Sequence, residues 1–301
     1  MGHGLMAARP QWTLGACNLS IFNPRIRDVV SARRAGNVTI SWLTGALLPL
    51  RCRAPRCDLP DTNPLRLFAI SDLHLSLGVD KPMDIFGEQW VNHADRMQAA
   101  WDEMVAPDDW VLVGGDTSWG LNLAQAQPDL DWLCARPGNK ILIKGNHCTW
   151  WQSRAKVERA LDDSVRLLQN NAVQMPDGTV VVGTRLWDPP DAPWADEKAA
   201  TVFARELERL KLSVQAGKKL GGCVEGGART IALVHYPPRY SDGRETAAVE
   251  ILRDANVEVC VYGHLHGKDH KYGFQGEADG IRYHLASVDA IDFRPIPIEL
   301  S

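Results

Sequence analysis

The chain has 301 residues, 45% of them hydrophobic and 23% charged, and a formal net charge of −4. A domain of this length buries about 75% of its extended-chain surface, so it needs no disulfide framework. Collagenous, coiled-coil and disordered classes are excluded by composition, and no run reaches the roughly 18–20 apolar residues of a membrane-spanning helix.

The charge is unevenly spread. Residues 1–60 carry eight Arg, no Lys and no Glu against Asp28 and Asp58, a balance of +6 that leaves −10 on the remainder. The most apolar part of this head, Val38 to Leu50, is interrupted by Gly45 and Pro49. It also begins too late, behind Arg25, Arg27, Arg33 and Arg34, for an ordinary secretory signal. Residues 1–64 are therefore expected to be an Arg-rich extension. Three readings stand for it: a disordered segment, an organellar targeting segment, or sequence upstream of the true start. The seven cysteines form no Cys-x-x-Cys pair and read as reduced thiols of a cytoplasmic protein.

From Leu65 onward, short apolar runs alternate with helix-period segments. Leu67–Ile70, Trp110–Val113, Ile141–Ile143, Thr179–Val182, Thr230–Val234 and Val257–Val261 read as buried strands. Trp90, Ala94, Met97, Trp101 and Met104 recur at helical spacing. Phe203, Leu207, Leu210 and Val214 do so before an expected stop at Gly217, and Ala248, Ile251 and Leu252 suggest a further helix. This alternation predicts an α/β domain with a parallel or mixed sheet.

The loops after these strands carry the chemistry, as carboxyl-end loops do in open α/β sheets. In chain order they hold Asp72-Leu73-His74, Gly114-Gly115-Asp116, Gly145-Asn146-His147, His235 and Gly263-His264-Leu265-His266. In extended chain, residues two apart point to one side, so Asp72 with His74, and His264 with His266, would each aim two side chains into a cleft. Carboxylate, amide and imidazole ligands without thiolate suit Mn, Fe or Zn. Seven candidate ligands exceed one ion's need and suit two divalent ions sharing a carboxylate. His93, His270, His284 and His3 lie in no such setting and read as packing or surface residues.

Asp-x-His, Gly-Asp, Gly-Asn-His, a lone His and Gly-His-x-His in this order resemble the calcineurin-like metallophosphoesterase superfamily, from about Ile70 to His266. The resemblance implies an α/β/β/α sandwich of two mixed sheets, with residues 65–301 as the catalytic domain. It implies that Asp72, His74 and His266 hold a first metal and that Asn146, His235 and His264 hold a second, with Asp116 bridging. His147 would protonate the leaving oxygen or steady the phosphate, and a metal-bridging hydroxide would attack a phosphomonoester or phosphodiester, a nucleotide among the candidates. The expected partner is thus a small phosphorylated substrate. No membrane or partner protein is indicated, and the acidic body disfavours nucleic acid.

Two departures qualify the resemblance. Cys148 follows His147 where many members carry an acid, leaving Thr149 as the expected cap of a helix beginning at Trp150 and Trp151. Thr117-Ser118-Trp119 follows Asp116, and Lys144 precedes Gly145, which argues against the protein Ser/Thr phosphatase branch. Trp187 and Trp194 bracket Asp188-Pro189-Pro190-Asp191-Ala192-Pro193, either as a lid stacking on a flat leaving group or as plain packing. The alternative to an enzyme is a metal-binding scaffold of the same fold.

Overall fold

The computed structural model describes residues 65–300, Trp194 excepted. The expectations for residues 1–64 and for Trp194 lie outside the described residues.

In chain order the strands are β1 (Leu67–Ile70), β2 (Trp110–Val113), β3 (Asn139–Leu142), β4 (Val165–Leu167), β5 (Val173–Gln174), β6 (Val180–Val182), β7 (Thr230–Leu233), β8 (Val257–Tyr262), β9 (Gly276–Ala278), β10 (Ile281–Leu285) and β11 (Ile296–Pro297). The helices are α1 (His93–Met104), α2 (Leu123–Cys134), α3 (Arg154–Glu158), α4 (Ala199–Lys219) and α5 (Ala247–Asp254).

The strands form two sheets, ordered β11-β1-β2-β3-β4 and β5-β6-β7-β8-β10-β9. Both are mixed. β1 to β4 run parallel with β11 antiparallel at the edge, and β6, β7, β8 and β10 run parallel between antiparallel β5 and β9. Strands covered on both faces must be apolar throughout, which is why β1 and β2 read LFAI and WVLV with every residue buried. The inner layer joins Leu67, Ala69, Leu112 and Ile141 of the first sheet to Val181, Ile231, Val259 and Val261 of the second. On the first sheet's outer face, Phe68, Val111 and Val113 meet Met97 and Trp101 of α1 and Leu130 and Leu133 of α2. On the second sheet's outer face, Val182, Ala232 and Cys260 meet Leu210 and Val214 of α4 and Leu252 of α5. The result is the expected α/β/β/α sandwich.

Several details differ from the sequence reading. α2 was not foreseen, because Pro128 lies inside it and removes a backbone donor. The Asn122 side chain starts that helix by accepting the Gln125 amide at 3.1 Å. α4 does not stop at Gly217 but runs to Lys219. That glycine lies where a Cβ would come within 2.7 Å of Cys223 Sγ and 2.8 Å of Val182 Cγ1, so it serves close helix-to-strand packing. Trp150 and Trp151 start no helix. Both are buried beside the site, α3 begins at Arg154, and the Thr149 hydroxyl donates to Gly120 O.

The two sheets are tied together at the edge that carries the motifs. Ser71, just past β1, donates its amide to Ala286 O at 2.7 Å, and Val288 donates to Ser71 O at 3.0 Å. The loops after β1, β2, β3, β7, β8 and β10 thereby converge.

Candidate metal centre

Each expected ligand lies within a few residues of a strand's carboxyl end, and the structure brings all seven together. Asp72 and His74 follow β1, Asp116 follows β2, Asn146 follows β3, His235 follows β7, and His264 and His266 follow β8. The backbone there is not the extended chain expected of Asp72 and His74. Asp72, His74, Asp116 and His264 have φ values of 60°, 44°, 45° and 72°. Such left-handed residues are uncommon outside glycine, cost of order 1–3 kcal/mol each, and collect at functional sites. They turn the side chains sharply inward at the sheet edge.

Asp72 is fully buried. Its Oδ2 accepts from Ser71 Oγ at 2.6 Å, the His264 amide at 2.9 Å and Ser287 Oγ at 3.2 Å. Its Oδ1 has no hydrogen-bond partner and faces His266 Nε2 at 3.4 Å and His74 Nε2 at 4.0 Å. The two imidazole Nε2 atoms of His74 and His266 are 3.2 Å apart. Across the cleft, Asn146 Oδ1 lies 2.7 Å from His235 Nε2 and 3.0 Å from His264 Nδ1, while Asp116 Oδ2 lies 3.4 Å from His235 Nε2. Residues 264 and 266 therefore enter one cleft but serve opposite sides of it.

Tautomers follow from the outer contacts, because a carbonyl or carboxylate can only accept. His235 Nδ1 donates to Gly114 O at 2.9 Å, which turns Nε2 toward Asn146 and Asp116. His266 Nδ1 donates to Asp289 Oδ1 at 2.7 Å, which turns Nε2 toward Asp72. The Asp116 carboxylate is held in place by the His147 amide, 2.8 Å from Oδ1. Gly145 makes room for it, since a Cβ there would stand 2.1 Å from Asp116 Oδ1.

This donor set fits metal ions. Atoms bound to one ion at about 2.0–2.2 Å lie roughly 3–3.5 Å from each other, which matches the spacing of these lone pairs. Asp72, His74 and His266 form one such cluster, Asp72, Asp116 and His235 a second, and His266, His270 and Asp289, on the far side of the His266 ring, a third. Asp72 belongs to the first two, and Asp116 stands across from it beside His235 at 3.4 Å.

The electrostatics say the same. Burial, partly opposed by Asp116, pushes His74 down to about 3, and burial with the neighbouring His235 pushes His264 down to about 3. Both imidazoles are thus neutral at physiological pH, the form that a metal ligand requires. Burial favours the neutral acid at Asp72 and Asp116, yet the surrounding histidines hold both carboxyls below their ordinary value. His235 is raised despite burial, because Asp116 and Asp72 attract its proton. Buried carboxylates of this kind favour a positive charge beside them.

His147 occupies the rim. Its ring lies 5.7 Å from that of His74 and 4.6 Å from that of Trp119, and burial lowers its pKa. Three neighbours escaped the sequence reading. His93 is buried, with Nε2 3.3 Å from His74 O, and so braces a left-handed residue. His270 lies 3.2 Å from Asp289, and Asp289 is the carboxylate behind His266. No motif spacing could have linked Asp289 to the site, because its approach depends on β10 lying beside β8. Trp187 packs 5.0 Å from Tyr236, whose ring lies 3.9 Å from that of His264.

The model of the calcineurin-like phosphoesterase family matches residues 65–268. The chain belongs to that family. Among curated proteins, the Gene 66 protein of Mycobacterium phage L5 is 39% identical over 79 residues, 26% of this chain and 37% of its own length. The Gene 66 protein of Mycobacterium phage D29 is 41% identical over 78 residues, with the same shares. The chain thus spans little more than a third of the length of these relatives. Among solved structures, the phosphopantetheinyl hydrolase from Mycobacterium tuberculosis has a TM-score of 0.49 at 20% identity, covering 78% of this chain and 96% of that one. A protein of unknown function from Aquifex aeolicus has a TM-score of 0.44 at 16% identity, covering 77% and 95%. No helix among the described residues of this family member is long and apolar enough to cross a membrane.

Proposed function

We propose that this phosphoesterase hydrolyses a small phosphomonoester or phosphodiester, a nucleotide among the candidates, using two divalent ions of Mn, Fe or Zn. The observation that carries the reading is the convergence of seven donor residues, four of them in left-handed backbone, on one cleft at the strand ends.

Asp72, His74 and His266 would hold one ion and Asn146, His235 and His264 the other, with Asp116 between them. Bound ions would supply a water acidified enough to ionise near neutral pH and would neutralise charge on both oxygens of an in-line displacement. The protein's own task is to keep these donors aimed. The Gly114 carbonyl does so for His235 by accepting from Nδ1–H, and the Ser71 and Ser287 hydroxyls hold the Asp72 carboxylate.

His147, at the mouth, would donate an N–H to a phosphoryl or leaving oxygen. Its lowered pKa leaves it neutral near pH 7, and a neutral imidazole still keeps one donor. Residues 65–301 would form the catalytic domain, with 1–64 as an extension outside it. The described cysteines, Cys134, Cys148, Cys223 and Cys260, are all free thiols, which suits a reducing compartment such as the cytoplasm.

Metal analysis of the purified chain, combined with aryl monoester, aryl diester and cyclic-nucleotide substrates, tests the reading. Two ions per chain are expected, with hydrolysis of one class abolished by chelation and restored by Mn²⁺. Asp116→Asn is expected to lower turnover by at least the roughly 10–100-fold typical of weaker, outer contacts. Full turnover by demetallated protein overturns the proposal.

A further inference from the structure

Asp289 lies outside the segment that the family model matches, on the turn after β10. We propose that it is a positioning residue for the metal centre, fixing His266 in the tautomer that presents Nε2 as ligand. The proposal rests on His266 being a ligand, as read above.

Both carboxylate oxygens of Asp289 are committed to one loop. Oδ1 accepts from His266 Nδ1 at 2.7 Å. Oδ2 accepts from the Gly267 amide at 2.8 Å and lies 3.2 Å from His270 Nε2. The side chain is only 2% exposed, so water competes little for these contacts. With its oxygens turned to the back of the ring, Asp289 does not face the cleft.

Its own position is tied to that of Asp72. Residues 286–288 hydrogen-bond to Ser71 on both sides, through Ser71 N to Ala286 O at 2.7 Å and Val288 N to Ser71 O at 3.0 Å. One backbone ladder therefore places Asp72 in front of His266 and Asp289 behind it. The alternative tautomer would aim an N–H at His74 Nε2, which is 3.2 Å away, and would withdraw the lone pair from the cleft. A carboxylate bonded to Nδ1–H removes that alternative and makes Nε2 a stronger donor.

The test is Mn²⁺ titration of the demetallated full chain by calorimetry, with unfolding of each variant followed in parallel. Asp289→Asn is expected to weaken one of the two Mn²⁺ sites by about 10–100-fold while the metal-free fold is retained. His270→Ala, which touches only the far side of the carboxylate, is expected to bind Mn²⁺ as the wild type does. Wild-type affinity in Asp289→Asn, alongside a lost site in His266→Ala, overturns the positioning role. An equal loss in His270→Ala overturns it too, since Asp289 would then be only a loop clamp. Wild-type binding in His266→Ala refutes the ligand reading itself, and this proposal falls with it. A measurement on unaltered protein guards against a variant that fails to fold. The Zn²⁺-loaded wild type should show a downfield Nδ1–H resonance from His266 by ¹⁵N-resolved NMR, and a proton on Nε2 instead refutes the proposal.

Discussion

Trp119 lies face to face with His74, their ring centroids 4.6 Å apart and their planes 22° apart. The same indole carries Lys81 Nζ 3.0 Å from its centroid, donates to Met83 Sδ at 3.0 Å, and stands 4.6 Å from the ring of His147. A residue three places past the Gly-Gly-Asp motif thus stacks on a candidate ligand and touches the rim histidine.

This stack predicts that Trp119→Ala loosens His74. Aromatic pairing of this kind contributes about 0.5–1.5 kcal/mol, so metal affinity should fall roughly 2- to 12-fold. Trp119→Phe keeps a ring face and should recover most of the loss. Equal affinity in all three proteins, measured by metal titration, would dismiss the stack as a support for His74.

Gly145→Ala should damage the site with modest cost to the fold. The added methyl would sit 2.1 Å from Asp116 Oδ1 and 2.5 Å from the Asp116 amide, so the carboxylate must move. Overpacking of this order costs about 1–3 kcal/mol. For a domain of this size that is a fall in Tm of roughly 2–12 °C. Turnover and metal content should drop far more than stability does, and scanning calorimetry with metal analysis would separate the two.

The metal-free protein should lose stability in mildly alkaline solution. Burial works against the charged form of His266, but Asp289 and Asp72 overcome it and raise the imidazole from 6.5 to about 10. A group with a raised folded pKa contributes stability that is complete below pH 6.5 and is lost as pH rises toward 10. Metal binding must displace that proton. Affinity should therefore rise with pH across the same window, with proton release detectable in weakly buffered solution. A flat stability profile from pH 6.5 to 10 in the demetallated protein would contradict the assignment.

Cys148 should be chemically silent in the native state. It is fully buried, and burial followed by the negative charge of Asp116 pushes its thiol up to about 12. Its sulfur accepts from the Gly145 amide at 3.3 Å and points into the site's floor rather than toward the mouth. Iodoacetamide at pH 8 should label this position only after denaturation. Rapid native labelling, read by peptide mass mapping, would show that the floor opens.

Much of the site was legible because its signals are local. A strand buried on both faces has to be continuously apolar, so Leu67–Ile70 and Trp110–Val113 announced themselves with the bounds the structure gives them. The residues just past such runs lie at a sheet edge, and five motifs in fixed order named seven donors and His147. Less legible were the short strands β4, β5, β9 and β11, held by neighbours more than by their own composition, and α2, hidden by Pro128.

The sequence by itself determined the family and named the candidate donors, since these depend on residue types at short spacing. Only the tertiary structure decided that Asp72 and His74 turn inward through left-handed backbone, and that His264 and His266 part to opposite sides of the cleft. It likewise decided that His93, Trp119 and Asp289 stand against the candidate ligands. Those relations cross long stretches of chain, 192 positions between Asp72 and His264. They arise from pairing between distant strands, which leaves no periodic trace in either partner.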